Sequence, residues 1–159
     1  EALSAGQFEP YFQPLIRLSD AATVGYEALV RWHHPQRGVL LPGDFLRVAG
    51  DNGQIEAIDW QMFRLACNAG AELVRDGGFI TINISPRHFQ NDDLDTRLLA
   101  VTADTGLPPA YGTERHGPRR RTLFVPADGR SQPRQAYLTD REPHRRSRSL
   151  LVRPVSLRI

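Results

Sequence analysis

Between Thr23 and Trp32 the chain alternates strictly. Val24, Tyr26, Ala28, Val30 and Trp32 fall on one face, and Thr23, Gly25, Glu27, Leu29 and Arg31 on the other. Successive side chains of extended backbone point to opposite sides, so this pattern predicts a half-buried β-strand. It also puts a carboxylate and a guanidinium together, away from the apolar stripe. Upstream, residues 8–18 are aromatic and β-branched but interrupted by Pro10 and Pro14, which cannot donate to a ladder. They predict an edge or irregular strand. Residues 79–84 (FITINI) are a short, nearly all-apolar run suited to a parallel sheet covered on both sides. Asn83 breaks that run on the face of Thr81, and Ser85 continues the same side.

Helical spacing fills the intervals. Pro42-Gly43-Asp44 opens a short helix over residues 44–50. Residues 54–75 carry Ile55, Ile58, Phe63, Leu65, Ala66, Ala69, Leu73 and Val74 at amphipathic spacing, closed by Gly77-Gly78. Residues 92–104 predict a further helix with Leu94, Leu98, Leu99 and Val101 as its stripe, stopped by Gly106-Leu107-Pro108-Pro109. The segment from His33 to Gly38 has the chemistry of a turn. There is no internal repeat. Strand–helix–strand–helix order predicts an α/β fold with parallel pairing after the first hairpin.

Past Pro109 the pattern lapses. Residues 110–159 hold five Pro and 12 Arg with 4 acids, a net charge of +8, whereas residues 1–109 hold 8 Arg and 14 acids, net −6. All 20 basic residues are Arg, and Lys is absent. Only Leu123-Phe124-Val125 and Leu150-Leu151-Val152 cluster as apolar groups, too little burial to offset the entropy of ordering. The segment is expected to be disordered. Three origins compete: a basic arm for RNA, DNA or an acidic membrane surface; a tail with no selected role; and a frameshifted translation of a G+C-rich gene. The third is preferred, and nucleic acid is the less favoured partner. The high overall pI describes neither half of the chain. One cysteine, Cys67, excludes an internal disulfide framework and multi-Cys zinc sites. No run approaches the ~18–20 apolar residues of a membrane helix, and the start does not resemble a signal peptide. A reducing, cytoplasmic setting is expected.

Several separated motifs resemble the EAL family of bacterial cyclic di-GMP phosphodiesterases. In order they are Tyr11-Phe12-Gln13-Pro14; Gly25-Tyr26-Glu27-Ala28-Leu29-Val30-Arg31-Trp32; His34-Pro35 and Gly38; Pro42-Gly43-Asp44-Phe45; Ile58-Asp59 with Ala66-Cys67; Ile82-Asn83-Ile84-Ser85-Pro86-Arg87 with Phe89; and Thr105-Gly106-Leu107-Pro108-Pro109. Glu1-Ala2-Leu3 is a coincidental copy of the family's name-giving triplet. The resemblance covers residues 1–109. It implies an incomplete (β/α)₈ TIM-like barrel, since a whole one takes about 250 residues.

The family hydrolyses one phosphodiester bond of cyclic di-GMP to give the linear dinucleotide, using two Mg²⁺ or Mn²⁺ ions in a carboxylate-rich mouth. Carried over by resemblance, Glu27 is the first metal carboxylate and the catalytic position, and Asn83 is a metal-binding amide. Arg31 grips substrate phosphate, and Gln13 contacts the ligand near the first strand. From the residues alone, Glu27 could instead pair with Arg31, Asn83 could serve backbone groups, and Gln13 could be a plain edge-strand polar residue. The family's later features are missing: a Glu-x-x-Glu-like strand, an Asp-Asp motif and a Lys. Only Glu114 falls near the expected place. The chain as written is therefore expected to be inactive, with a non-catalytic cyclic di-GMP sensor or protein-interaction module as the alternative. An EAL–EAL homodimer and an upstream sensory or diguanylate cyclase domain are the partners the resemblance suggests. His33 and His34, adjacent on extended backbone, point to opposite faces and are not expected to ligate one metal. Cys67 reads as a small core residue, and Asp59 as structural or interfacial.

Overall fold

The computed structural model describes residues 2–107, 112–115 and 121–126. Strands β1 (Phe8–Ile16) and β2 (Thr23–His34) form an antiparallel hairpin, and β3 (Gly38–Leu40) folds back on the end of β2. Helices α1 (Pro42–Asp51) and α2 (Ile55–Leu73) follow. Strand β4 (Phe79–Ile84) then lies parallel to β2, with Glu27 beside Thr81 and Ala28 beside Ile82. A 3₁₀ turn (Pro86–Gln90) leads into α3 (Leu94–Asp104). Strands β5 (Gly112–Arg115) and β6 (Arg121–Pro126) complete a sheet of order β1-β2-β4-β6-β5.

Local chemistry explains the elements. Gln7 accepts from the His33 amide at 2.8 Å, which makes the odd-numbered positions of β1 the hydrogen-bonded pairs of the hairpin. Pro10 and Pro14 fall between them, where an N–H would point to the open edge, so β1 tolerates both prolines as the first strand of the sheet. At the start of α1, Pro42 occupies the first turn and the Asp44 carboxylate accepts the Leu41 amide at 2.9 Å. The α2 face carrying Phe63, Ala66 and Cys67 packs on Ala28, Ile80, Ile82 and Ile84 to form the main core, joined by Leu94, Leu98 and Val101 of α3. A second cluster of Phe8, Leu40, Phe45, Ala49, Ile58 and Met62 lies beside Trp32. Gly70 lets α2 approach β4 closely: a Cβ there would overlap the Ile80 side chain, with its Cγ1 3.0 Å away.

Two expectations are corrected. The parallel pairing expected after the first hairpin holds for β2–β4 only, because β6 joins β4 antiparallel, with Ile80 opposite Val125. The segment past Pro109, expected to be disordered throughout, contains the β5–β6 hairpin. Leu123-Phe124-Val125, one of its two apolar clusters, lies in β6, and Val125 is fully buried in the main core. Sheet pairing recruits a run too short to show periodicity by itself. The Leu150-Leu151-Val152 cluster lies outside the described residues. The order of elements matches the α/β expectation, while β3 and the extension of β2 through His34 convert part of the expected turn into strand. No helix among the described residues is long and apolar enough to cross a membrane.

Candidate functional site

Helix α2 covers the even-numbered face of β2. The odd-numbered residues therefore stand on the sheet's other face, together with Thr81 and Asn83 of β4 and the odd-numbered residues of β1. Across this face Gln13, Glu27 and Thr81 are lateral neighbours on three successive strands. Asn83 stands one side-chain step beyond Thr81, and its Nδ2 donates to Glu27 Oε1 at 2.8 Å. Glu27 is only 6% exposed and Thr81 is buried, whereas Gln13 is exposed at the β1 edge. Below this polar band Leu15 and Phe79 form a small apolar cluster backed by Val24. Gly25 makes room for it: a Cβ there would overlap the Phe79 carbonyl and stand 3.1 Å from the ring.

Arg31 lies four residues beyond Glu27 on the same face, about 13 Å at the usual strand rise. It does not form the ion pair that their shared face allowed. Its Nη1 donates to the Val30 carbonyl at 2.9 Å, and its guanidinium sits 5.4 Å from the centre of the Tyr11 ring. Burial pushes the Arg31 guanidinium below its ordinary pKa, with Tyr11 acting in the opposite direction. A guanidinium so placed remains a fixed cation at neutral pH. Further along, His33 Nε2 meets Glu9 Oε2 at 2.7 Å, while His34 lies on the other face, edge-on to Trp32. The two histidines thus face apart.

A second polar cluster lies where β4 ends. Asp59 Oδ2, on α2, accepts the Ser85 amide at 2.8 Å and lies 3.1 Å from His88 Nε2. His88 is fully buried, with Trp60 edge-on at 5.3 Å. The sequence pointed to a structural or interfacial role for Asp59 and did not single out His88. The signal available was a histidine three residues past Ser85-Pro86, in a turn too short to show any periodicity. Cys67 is fully buried, as its place on the apolar side of α2 implied, and burial pushes its thiol up to about 12.

The oxygens of Glu27 and Asn83 are hard donors of the kind a divalent Mg²⁺ or Mn²⁺ ion takes. The hydrogen bond between them holds both side chains at adjacent points of a rigid sheet. Such a pair suits one cation in kind and is short of the roughly six ligands that an octahedral ion demands. Among the described residues no three His, Cys, Asp or Glu side chains converge.

The family profile of the EAL domain matches residues 1–112. The chain belongs to the EAL domain family. Curated relatives include an uncharacterized signaling protein of Caulobacter vibrioides, 43% identical over 103 residues, which cover 63% of this chain and 12% of that protein. Cyclic di-GMP phosphodiesterase RocR of Pseudomonas aeruginosa is 32% identical over 110 residues, covering 68% of this chain and 28% of RocR. Among solved EAL structures, the PaMucR phosphodiesterase in complex with c-di-GMP superposes with a TM-score of 0.62 at 30% identity, covering 68% of this chain and 45% of that one. The FimX EAL domain from Pseudomonas aeruginosa bound to c-di-GMP gives a TM-score of 0.55 at 27% identity, over 69% and 44% of the two chains. The match therefore spans less than half the length of each of these relatives. The mixed α/β arrangement of residues 2–107 is that of part of an EAL domain.

Proposed function

We propose that this chain carries the first part of a cyclic di-GMP phosphodiesterase site, and that these 159 residues alone bind more than they turn over. The observation that carries this reading is the 2.8 Å bond between Asn83 Nδ2 and Glu27 Oε1, on the sheet face that α2 leaves uncovered. It brings together the two residues that the family resemblance marks as metal ligands. Named relatives that are cyclic di-GMP phosphodiesterases, or are bound to c-di-GMP, support the ligand class.

Glu27 and Asn83 would hold a Mg²⁺ or Mn²⁺ ion, which when bound supplies charge to activate a water and to steady phosphoryl oxygens in an in-line displacement. Glu27 brings a carboxylate, held in position by its place in the sheet and by the Asn83 amide. Arg31 offers a forked, permanently charged donor to a phosphate of the dinucleotide, oriented by the Val30 carbonyl and the Tyr11 ring. Gln13, exposed at the edge, presents amide groups to the same ligand. Leu15 and Phe79 are buried together one side-chain step along the strands from Gln13, Glu27 and Thr81.

The shortage of carboxylates favours binding without turnover over full catalysis. The test is calorimetric titration of the purified chain with cyclic di-GMP in Mn²⁺, with products resolved by chromatography. Saturable binding with no linear dinucleotide is expected. Turnover at about 1 per second or faster would contradict the inactive reading, and absence of both binding and turnover would contradict the site itself.

A further inference from the structure

We infer that Asp59 is a positioning residue for Asn83, acting across the sheet from α2 through the segment that leaves β4. This rests on the reading of Glu27 and Asn83 as a metal-holding pair.

Asn83 is the penultimate residue of β4, and Ser85 is the first residue beyond the strand. The backbone there turns at once into the 3₁₀ segment, so the Ser85 amide has left the ladder and needs a partner elsewhere. Asp59 Oδ2 takes that amide at 2.8 Å. The same oxygen meets His88 Nε2 at 3.1 Å, tying the middle of the 3₁₀ turn to the same point. Ser85 Oγ in turn accepts the Arg87 amide. One oxygen of the partly buried Asp59 carboxylate thus pins the strand exit at two places, three residues apart. The core-facing stripe of α2 packs on the opposite side of β4, so the helix cannot move without carrying this anchor with it. The direction of the Asn83 side chain depends on where the backbone leaving β4 is held, and Asp59 holds it at Ser85.

The role is distinct from mere stability because its effect concentrates at Asn83. The chain is labelled with ¹⁵N, and the Asn83 side-chain amide signals are compared in wild type, Asp59→Ala, Asp59→Asn and the core variant Leu98→Ala. Leu98 is fully buried on α3 and hydrogen-bonds none of residues 83–88 through its side chain, so it serves as a control for general destabilisation. Mn²⁺ affinity is measured on the same samples by electron paramagnetic resonance. Asp59→Ala is expected to move the Asn83 amide signals and to weaken Mn²⁺ binding by about 10-fold, the scale on which supporting hydrogen bonds act on metal ligands. Asp59→Asn retains an oxygen acceptor for Ser85 and is expected to restore both. Leu98→Ala is expected to lower the melting temperature and move neither. Asp59→Glu, which keeps the charge but displaces the oxygens by one methylene, carries the same comparison if Asp59→Ala does not fold. Asn83 signals unchanged in a folded Asp59 variant would overturn the inference, as would equal shifts in Leu98→Ala. The amide signals report position without metal. Failure of the wild-type chain to bind Mn²⁺ would therefore count against the metal reading alone.

Discussion

At the scale of single residues, the informative feature is a polar pair set in a sheet. Asn83 interrupts a nearly all-apolar strand, and its place diagonal to Glu27, one side-chain step beyond Thr81, converts that interruption into a hydrogen bond with a buried carboxylate. Asn83→Ala removes a donor to a carboxylate that is 6% exposed, leaving buried charge less compensated. It is expected to lower stability by about 1–3 kcal/mol, measured by urea unfolding, besides weakening any divalent cation held there. Cys67 gives a separate, metal-free prediction. Its thiol is raised by burial from the ordinary 9.0 to about 12, so the folded state favours the protonated form. The contribution to stability is complete below pH 9, is lost progressively as pH rises through this window, and is gone above about pH 12. Urea midpoints are expected to fall across that window in wild type and to fall less in Cys67→Ala. In the native state at pH 8 the thiol should resist alkylation and react readily once the chain is unfolded.

The elements were partly legible from their residues. The alternation over 23–32 identified β2 and its two faces, and the glycine pair at 77–78 marked the end of the α2 region, because these signals are local. Pro10 and Pro14 pointed to an edge strand, and the hairpin register shows how the edge accommodates them. The β5–β6 hairpin was not legible, since its strands are short and draw their order from pairing with β4 rather than from their own pattern. The Asp59–His88 cluster escaped for a similar reason. It joins a helix to a turn 26 to 29 residues later, a proximity that only the fold creates. At this scale the close α2–β4 approach is testable. Gly70→Val would force Ile80 aside and is expected to cost about 1–3 kcal/mol through overpacking. Gly25→Ala would press on the Phe79 carbonyl under the polar band. It is expected to shift the Asn83 amide signals as well as to lower the melting temperature.

For the whole molecule, the proposed site draws only its first ligands from the motifs the chain carries. The abrupt shift from net −6 to net +8 at Pro109 coincides with the disappearance of the resemblance. We propose that a slip of reading frame produced both the lost motifs and the arginine excess. Another frame of the coding DNA beyond Pro109 is then expected to encode a Glu-x-x-Glu-like strand, an Asp-Asp motif and a Lys. The restored protein is expected to hydrolyse cyclic di-GMP. Sequencing of that DNA checks the first expectation, and chromatography of reaction products checks the second. Frames without those motifs would move the sensor reading ahead. The central claim, that Glu27 and Asn83 form a cation site on the sheet face opposite α2, is tested most directly by paramagnetic line broadening. Mn²⁺ is added at substoichiometric levels to the ¹⁵N-labelled chain and to Glu27→Ala. Broadening that begins at residues 27, 81 and 83 in wild type and is lost in the variant is the predicted result; uniform broadening, or the same pattern in both proteins, would contradict it.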